Sequence, residues 1–183
     1  MTGFSTYISK PARRLRPLVV ILLALAWISP SPAESEHTRT LKFYNTHTQE
    51  RVTVMYKKDG HTLPEALEKI AYILRDHRTG EIHPIDVKLL DFLYDLLVEV
   101  GNQGEVHIIS GYRSPATNQL LRKRSNGVAK RSLHMQGKAL DFRLPGTDTK
   151  FLRETAKAMK RGGVGYYKKT DFIQIDTGQV RSW

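Results

Sequence analysis

The sequence predicts an α+β fold, and three observations carry that prediction. Runs with helical apolar spacing fall mainly in the first part of the chain. Most strand-like runs come later, and the regular strand–helix–strand alternation of parallel α/β folds is absent. At 183 residues the chain fits one domain with an appendage.

The appendage is N-terminal. Lys10, Arg13, Arg14 and Arg16 form a positive segment without acidic residues, residues 18–28 are an unbroken apolar run, and Ser31-Pro32-Ala33 sets small side chains where a signal peptidase reads them. The apolar run is shorter than the roughly 20 residues that a membrane span needs. Residues 1–33 therefore read as a signal peptide and residues 34–183 as the exported domain, with no stable membrane span after cleavage. Arg13-Arg14 raises the twin-arginine export route, whereas Arg16 and Pro17 sit where that signal usually carries apolar residues.

The elements follow in order. Residues 40–44 and 51–56 are β-prone runs that read as a hairpin, within an N-terminal unit of residues 38–57, and Lys58-Asp59-Gly60 ends it. Leu67, Ile70, Ala71 and Leu74 share one helical face, with Pro64 near the helix start and Gly80 after its end. A second helix spans about residues 86–100 and stops at Gly101; apolar nearly all round, it is the most buried. Residues 105–110 read as a strand, followed by the loop Gly111-Tyr112-Arg113-Ser114-Pro115 and a short helix to about Arg124. Residues 138–144 read as a strand, and residues 149–161 as a helix closed by Gly162-Gly163. Residues 164–168 and 172–176 read as two strands joined by a tight turn.

Composition narrows the chemistry. Four of the 29 Lys and Arg lie in residues 1–33 and none of the 18 Asp and Glu do, so residues 34–183 carry a net +7. Such a surface favours polyanions. Export argues against nucleic acid as the partner and favours cell-wall peptides and anionic envelope polymers. The absence of cysteine excludes disulfides, thiolate metal sites and cysteine catalysis. Any metal is held by nitrogen and oxygen.

The chemically informative stretch is Ser132-Leu133-His134-Met135-Gln136-Gly137-Lys138-Ala139-Leu140-Asp141. Asp141 stands on a strand whose neighbours Leu140 and Phe142 point to the other face. A carboxylate among apolar residues needs a partner. A metal shared with His134 answers that need, and so does a salt bridge to an arginine.

This stretch resembles the His-x-x-Gly-x-Ala-x-Asp motif of the D-alanyl-D-alanine carboxypeptidase-like zinc peptidases, in the lysostaphin, carboxypeptidase and sonic hedgehog fold group; His134, Gly137, Ala139 and Asp141 match. Ser110-Gly111-Tyr112-Arg113-Ser114 is similar to the family's arginine loop. Residues 162–167, Asp176-Thr177-Gly178 and Arg181-Ser182-Trp183 resemble the tail of the murein endopeptidase K-like subgroup. The likeness runs from about residue 38 to the end.

The resemblance implies a hedgehog/D-Ala-D-Ala-peptidase-like fold, a small antiparallel sheet with flanking helices, and a metal site in residues 105–183. It implies one zinc ion with His134 and Asp141 as ligands. Arg113 matches the arginine that steadies the tetrahedral oxyanion, and Ser132 lies where a serine either bonds the substrate peptide or caps the turn. The subgroup's third ligand is a histidine in a Phe-Val-His-Val/Ile-Asp pattern. This chain reads Phe172-Ile173-Gln174-Ile175-Asp176, placing Gln174 at that position. An amide oxygen is a poor zinc donor beside imidazole. Asp176, on the same strand face as Gln174, is a substitute ligand or a proton-shuttling carboxylate, or simply a strand-edge residue. Asp171 stands three residues before Gln174, where related carboxypeptidases keep their general base, and its plain reading is a turn residue. Of the other histidines, His107 is the candidate replacement ligand. The implied activity is zinc-dependent hydrolysis of peptidoglycan peptide cross-links in the periplasm or cell envelope, with stem peptides as partners. The alternative is a catalytically impaired relative that binds those peptides without cutting them.

Overall fold

The computed structural model describes residues 1–3, 37–125 and 127–183. The signal-peptide reading of residues 1–33 falls almost wholly outside them. The chain divides into Met1–Glu34 and Ser35–Trp183, and the fold below is that of the second unit. No described helix is long and apolar enough to cross a membrane.

The first hairpin joins β1 (Thr38–Asn45) to β2 (Arg51–Lys58) in antiparallel register, with Leu41 opposite Val54 and Phe43 opposite Val52. Asp59 and Gly60 end the hairpin, as expected, but the sheet continues beyond them. Their φ values are +47° and +80°, and they form a two-residue turn into β3 (His61–Thr62), which pairs back on Lys57 and Lys58. Asp-Gly is a strong hairpin signal because both positions need φ > 0.

Helix α1 (Pro64–Ile73) begins with proline at its first turn, where a missing N–H costs nothing. It ends earlier than Gly80, which sits at φ +76° in a separate turn and donates its N–H to Asp76 O at 2.8 Å. Helix α2 (Val87–Glu99) is capped by Asp86, whose side chain accepts from Lys88 N. Leu89, Leu90, Phe92, Leu93, Leu96 and Leu97 are all buried, as the all-round apolar pattern requires. Beyond it lie β4 (Val106–Ser110), α3 (Pro115–Arg124), a 3-10 turn (Leu133–Gln136) and β5 (Ala139–Arg143). They are followed by α4 (Thr149–Ala158), β6 (Gly163–Tyr167), β7 (Phe172–Asp176) and β8 (Arg181–Ser182).

Among the described residues the architecture mixes four α-helices with one sheet of eight strands in the order β3-β2-β1-β4-β5-β7-β6-β8. Two neighbouring pairs, β1–β4 and β6–β8, run parallel, which corrects the expectation of a small antiparallel sheet. Parallel neighbours need a crossover, and α1 and α2 supply it between β1 and β4. The first helices are thus a connection between adjacent strands, a relation that periodicity cannot reveal.

Gly162 and Gly163 were expected to close α4, but the left-handed residue after that helix is Lys160, at φ +52°. The glycines serve a close approach instead. A Cβ on Gly162 would stand 1.7 Å from Asp176 O, and one on Gly163 would stand 2.5 Å from Asp176 Oδ2. The core packs α2 and α4 against the sheet through Phe43, Phe92, Phe142, Leu152 and Ile173, each 0 % exposed. Fully burying each such side chain is worth about 1.5–3 kcal/mol.

Candidate active site

The site is assembled where the ends of β4, β5 and β7 meet the loop after β4. Asp141 on β5 pairs with Gln174 on β7 and with Ser110 on β4. Strand alternation sends Leu140, Phe142, Ile173 and Ile175 into the core and leaves Asp141 and Gln174 on the opposite face. His134 comes from the 3-10 turn just before β5, which Gly137 terminates at φ +64°. A Cβ on Gly137 would meet Pro84 O at 2.1 Å, so the turn is seated against the segment that opens α2.

Three acceptor atoms converge. His134 Nδ1 lies 2.8 Å from Gly111 O, a carbonyl that can only accept, so Nδ1 carries the proton and donates it. The other ring nitrogen of a neutral His134 is then a bare lone pair. It lies 3.2 Å from Asp141 Oδ1 and 3.4 Å from Gln174 Oε1. Gln174 Nε2 donates to Asp176 Oδ2 at 3.4 Å, which fixes the amide with its oxygen towards His134. Asp141 Oδ1 is buried and has no hydrogen-bond partner among the described residues. Lone pairs facing one another across such distances require a positive charge between them, either a metal ion or a proton on Nε2. Zinc bonds of roughly 2.0–2.2 Å at tetrahedral angles separate neighbouring ligand atoms by about 3.3–3.6 Å. The residues present therefore fit one zinc ion, with an amide oxygen as the weakest donor.

Arg113 closes the other side. Its Nη2 lies 3.4 Å from Asp141 Oδ2 and 3.3 Å from Ser110 Oγ. Burial pulls its pKa below the ordinary arginine value, and Asp141 opposes that pull. Its Nε is buried without a partner among the described residues, so the guanidinium keeps unspent donor capacity. Both readings of Asp141 thus meet in one place, with an arginine on one oxygen and a histidine beside the other.

The arginine loop is clamped from behind. Tyr112 N donates to Leu74 O at 2.7 Å, and Arg113 N donates to His134 O at 3.2 Å. Gly111 has no room for a side chain, because a Cβ would lie 2.4 Å from Leu74 O. Asp76, only 2 % exposed, accepts from Ser114 N at 2.8 Å through Oδ2 and from Arg78 N at 2.9 Å through Oδ1. Burial raises its pKa, but hydrogen bonds from Thr117, Ser114 and Arg78 outweigh that and hold the carboxyl well below the usual range. Ser114 in turn caps α3 through its hydroxyl.

The remaining candidates lie around this centre without joining it. Asp176 is 0 % exposed; its Oδ1 accepts from Gly163 N, Gly178 N and Arg181, and its Oδ2 from Arg181 at 2.7 Å. Those donors leave it anchoring the tail rather than facing His134. Asp171, at φ +53° in the turn between β6 and β7, accepts from Thr149 Oγ1 at the start of α4. Ser132 lines the cleft, is 8 % exposed and makes no capping bond to the 3-10 turn. His107 lies 3.4 Å from Glu105 and edge-on to Tyr44, away from the cleft lining. Among the described residues no group of three or more His, Asp and Glu could hold a metal, consistent with an amide at the third position.

A cleft of about 320 Å3 opens over these groups, walled by Arg131, Tyr167, Phe172, Arg181 and Trp183. Sequence reasoning missed Asp76 and these wall residues. Arg181, five residues after Asp176 and of opposite charge, was the one readable signal.

The fold and the cleft define a peptidase-like molecule, and comparison with known proteins specifies which kind. Residues 33–183 match the family profile described as Peptidoglycan L,D-endopeptidase MepK, and the chain belongs to that family. It is 40 % identical over 175 residues to the Peptidoglycan L,D-endopeptidase MepK of Escherichia coli K12, covering 93 % of this chain and 96 % of that protein. It is 40 % identical over 146 residues to the Probable peptidoglycan L,D-endopeptidase MepK of Haemophilus influenzae, covering 79 % of this chain and 78 % of the relative. No solved structure gives a significant match.

Proposed function

We infer that this protein hydrolyses peptide cross-links of peptidoglycan in the cell envelope, at a bond between an L-configured acyl residue and a D-configured amine. The observation that carries the reading is the buried, unpartnered Asp141 Oδ1 facing His134 Nε2, with the Arg113 guanidinium beside it. Residues 34–183 are the exported domain, built on the hedgehog/D-Ala-D-Ala-peptidase plan, and residues 1–33 direct export.

His134, Asp141 and Gln174 would hold one zinc ion, with Gln174 the weak member. Bound there, zinc would supply a Lewis acid that lowers the pKa of a water molecule towards neutrality. Arg113 binds the scissile carbonyl oxygen as it gains charge in the transition state; removing such a donor costs about 100- to 1,000-fold in kcat. Ser132 hydrogen-bonds the substrate peptide with its free hydroxyl. Asp171, three residues before Gln174 and held through one oxygen by Thr149, carries the proton to the leaving amine. Asp176 is disfavoured for that task because Arg181 and two backbone amides occupy it.

A second reading has a specific observation behind it. Gln174 turns a neutral oxygen to the site, which favours a protein that binds stem peptides without cutting them. Metal analysis of the purified protein and an assay on cross-linked muropeptides separate the two. Cleavage that disappears in His134→Ala and falls about 100-fold or more in Arg113→Lys supports the hydrolase. Peptide binding without cleavage, in protein that has been given zinc, supports the binding protein.

A further inference from the structure

Three arginines face the cleft, and two of them are already engaged: Arg113 with Asp141, and Arg181 with Asp176. The third, Arg131, has no hydrogen bond, ion pair or ring contact among the described residues. The segment that carries it is tied down. Asn118, 3 % exposed on α3, donates from Nδ2 to Ala129 O at 3.1 Å, two residues before Arg131. On its other side Ser132 O accepts from Met135 N at 3.1 Å, leading directly into the turn of His134. The guanidinium thus hangs from a backbone pinned at both ends, along the same wall as Ser132. Among the described residues that line the cleft, Asp141 is the one side-chain carboxylate, and it is turned towards His134 and Arg113.

An unpaired guanidinium held over a peptide cleft is an anion receptor, and its planar fork matches a carboxylate. We propose that Arg131 is a specificity residue that binds a standing carboxylate of the substrate on the amine-donor side of the scissile bond. The proposal rests on the hydrolase reading for the identity of the peptide. Where the D-configured amine belongs to the last residue of a peptide, that residue's own carboxyl group stands free next to the bond to be cut. Arg113 then meets the charge that develops on the carbonyl oxygen, and Arg131 the charge that is always present. Ground-state charge recognition lowers KM and leaves kcat largely unchanged.

The test compares two cross-linked peptides that differ only at this group, one carrying the free carboxylate and one the carboxamide. The full chain and Arg131→Gln are compared with each peptide, by calorimetric binding and by cleavage. The expected result is about a tenfold loss of affinity and rise in KM for the carboxylate peptide in Arg131→Gln, with kcat held. The carboxamide peptide should behave alike in both proteins, and Arg131→Lys should recover part of the affinity. An equal loss on both peptides, or no loss on either, overturns the proposal. If neither protein cleaves but the full chain prefers the carboxylate peptide through Arg131, the hydrolase reading fails and the receptor role stands.

Discussion

A carboxamide and an imidazole are close in size, yet they offer a cation different atoms. Gln174 presents Oε1 at 3.4 Å from His134 Nε2 and holds that pose by donating to Asp176. Histidine at the same position would present a nitrogen that zinc prefers. Gln174→His is therefore expected to tighten zinc binding at least about tenfold, read by competition with a chelator and independently of any peptide. Unchanged affinity would mean that the amide is no handicap. The meeting of His134, Asp141 and Arg113 in one place was legible because their motifs stand in contiguous stretches. The anchoring of Asp176 was not, since it depends on Gly163, Gly178 and Arg181 folding back onto one carboxylate.

Helix α3 and the loop before it depend on Asp76, which lies far from them in sequence. Asp76→Asn keeps the shape but places an amide beside the Ser114 and Arg78 N–H groups. The expected cost is about 1.5–3 kcal/mol of stability at neutral pH, measured by urea unfolding. Because the native carboxyl is held below its unfolded value, that contribution is full above the unfolded pKa of about 3.9 and is lost as pH falls through the lower native value. A second dependence lies at the end of β1, where the rings of His47 and His77 stack with centroids 3.8 Å apart. Burial first, and then the charges of His47 and Arg78, push His77 down to about 4. The unfolded chain binds this proton more readily, so the contribution is intact above about 6.5 and is lost as pH falls towards 4. The urea midpoint of the wild type should drop across that window, and His77→Gln should flatten the drop. Element types were readable from periodicity and turn residues. The parallel neighbours β1 and β4 were not, because pairing across α1 and α2 leaves no local signal.

For the whole molecule the strongest expectation concerns what is removed. The small residues Ser31 and Ala33 predict a mature chain beginning at Glu34, so mass spectrometry of protein recovered from the envelope should find residues 34–183 alone. A mass that includes the first 33 residues would reject the cleavage reading. Residues 34–183 carry a net charge of +7, which raises encounter rates with anionic polymers at low salt and loses that advantage as salt screens it.

Trp183 has a consequence at this scale too. Its indole N–H donates to the Tyr167 hydroxyl at 3.2 Å, the Arg181 guanidinium lies 4.8 Å from its ring centre, and the ring forms part of the cleft wall. The chain's other tryptophan, Trp27, lies within residues 1–33, the segment expected to be removed. In protein of residues 34–183 alone, indole emission comes from a single place, the mouth of the cleft. A peptide settling there changes the polarity around the ring and displaces water from it. Occupancy can then be followed by light alone, with no label attached and whether or not any bond is broken.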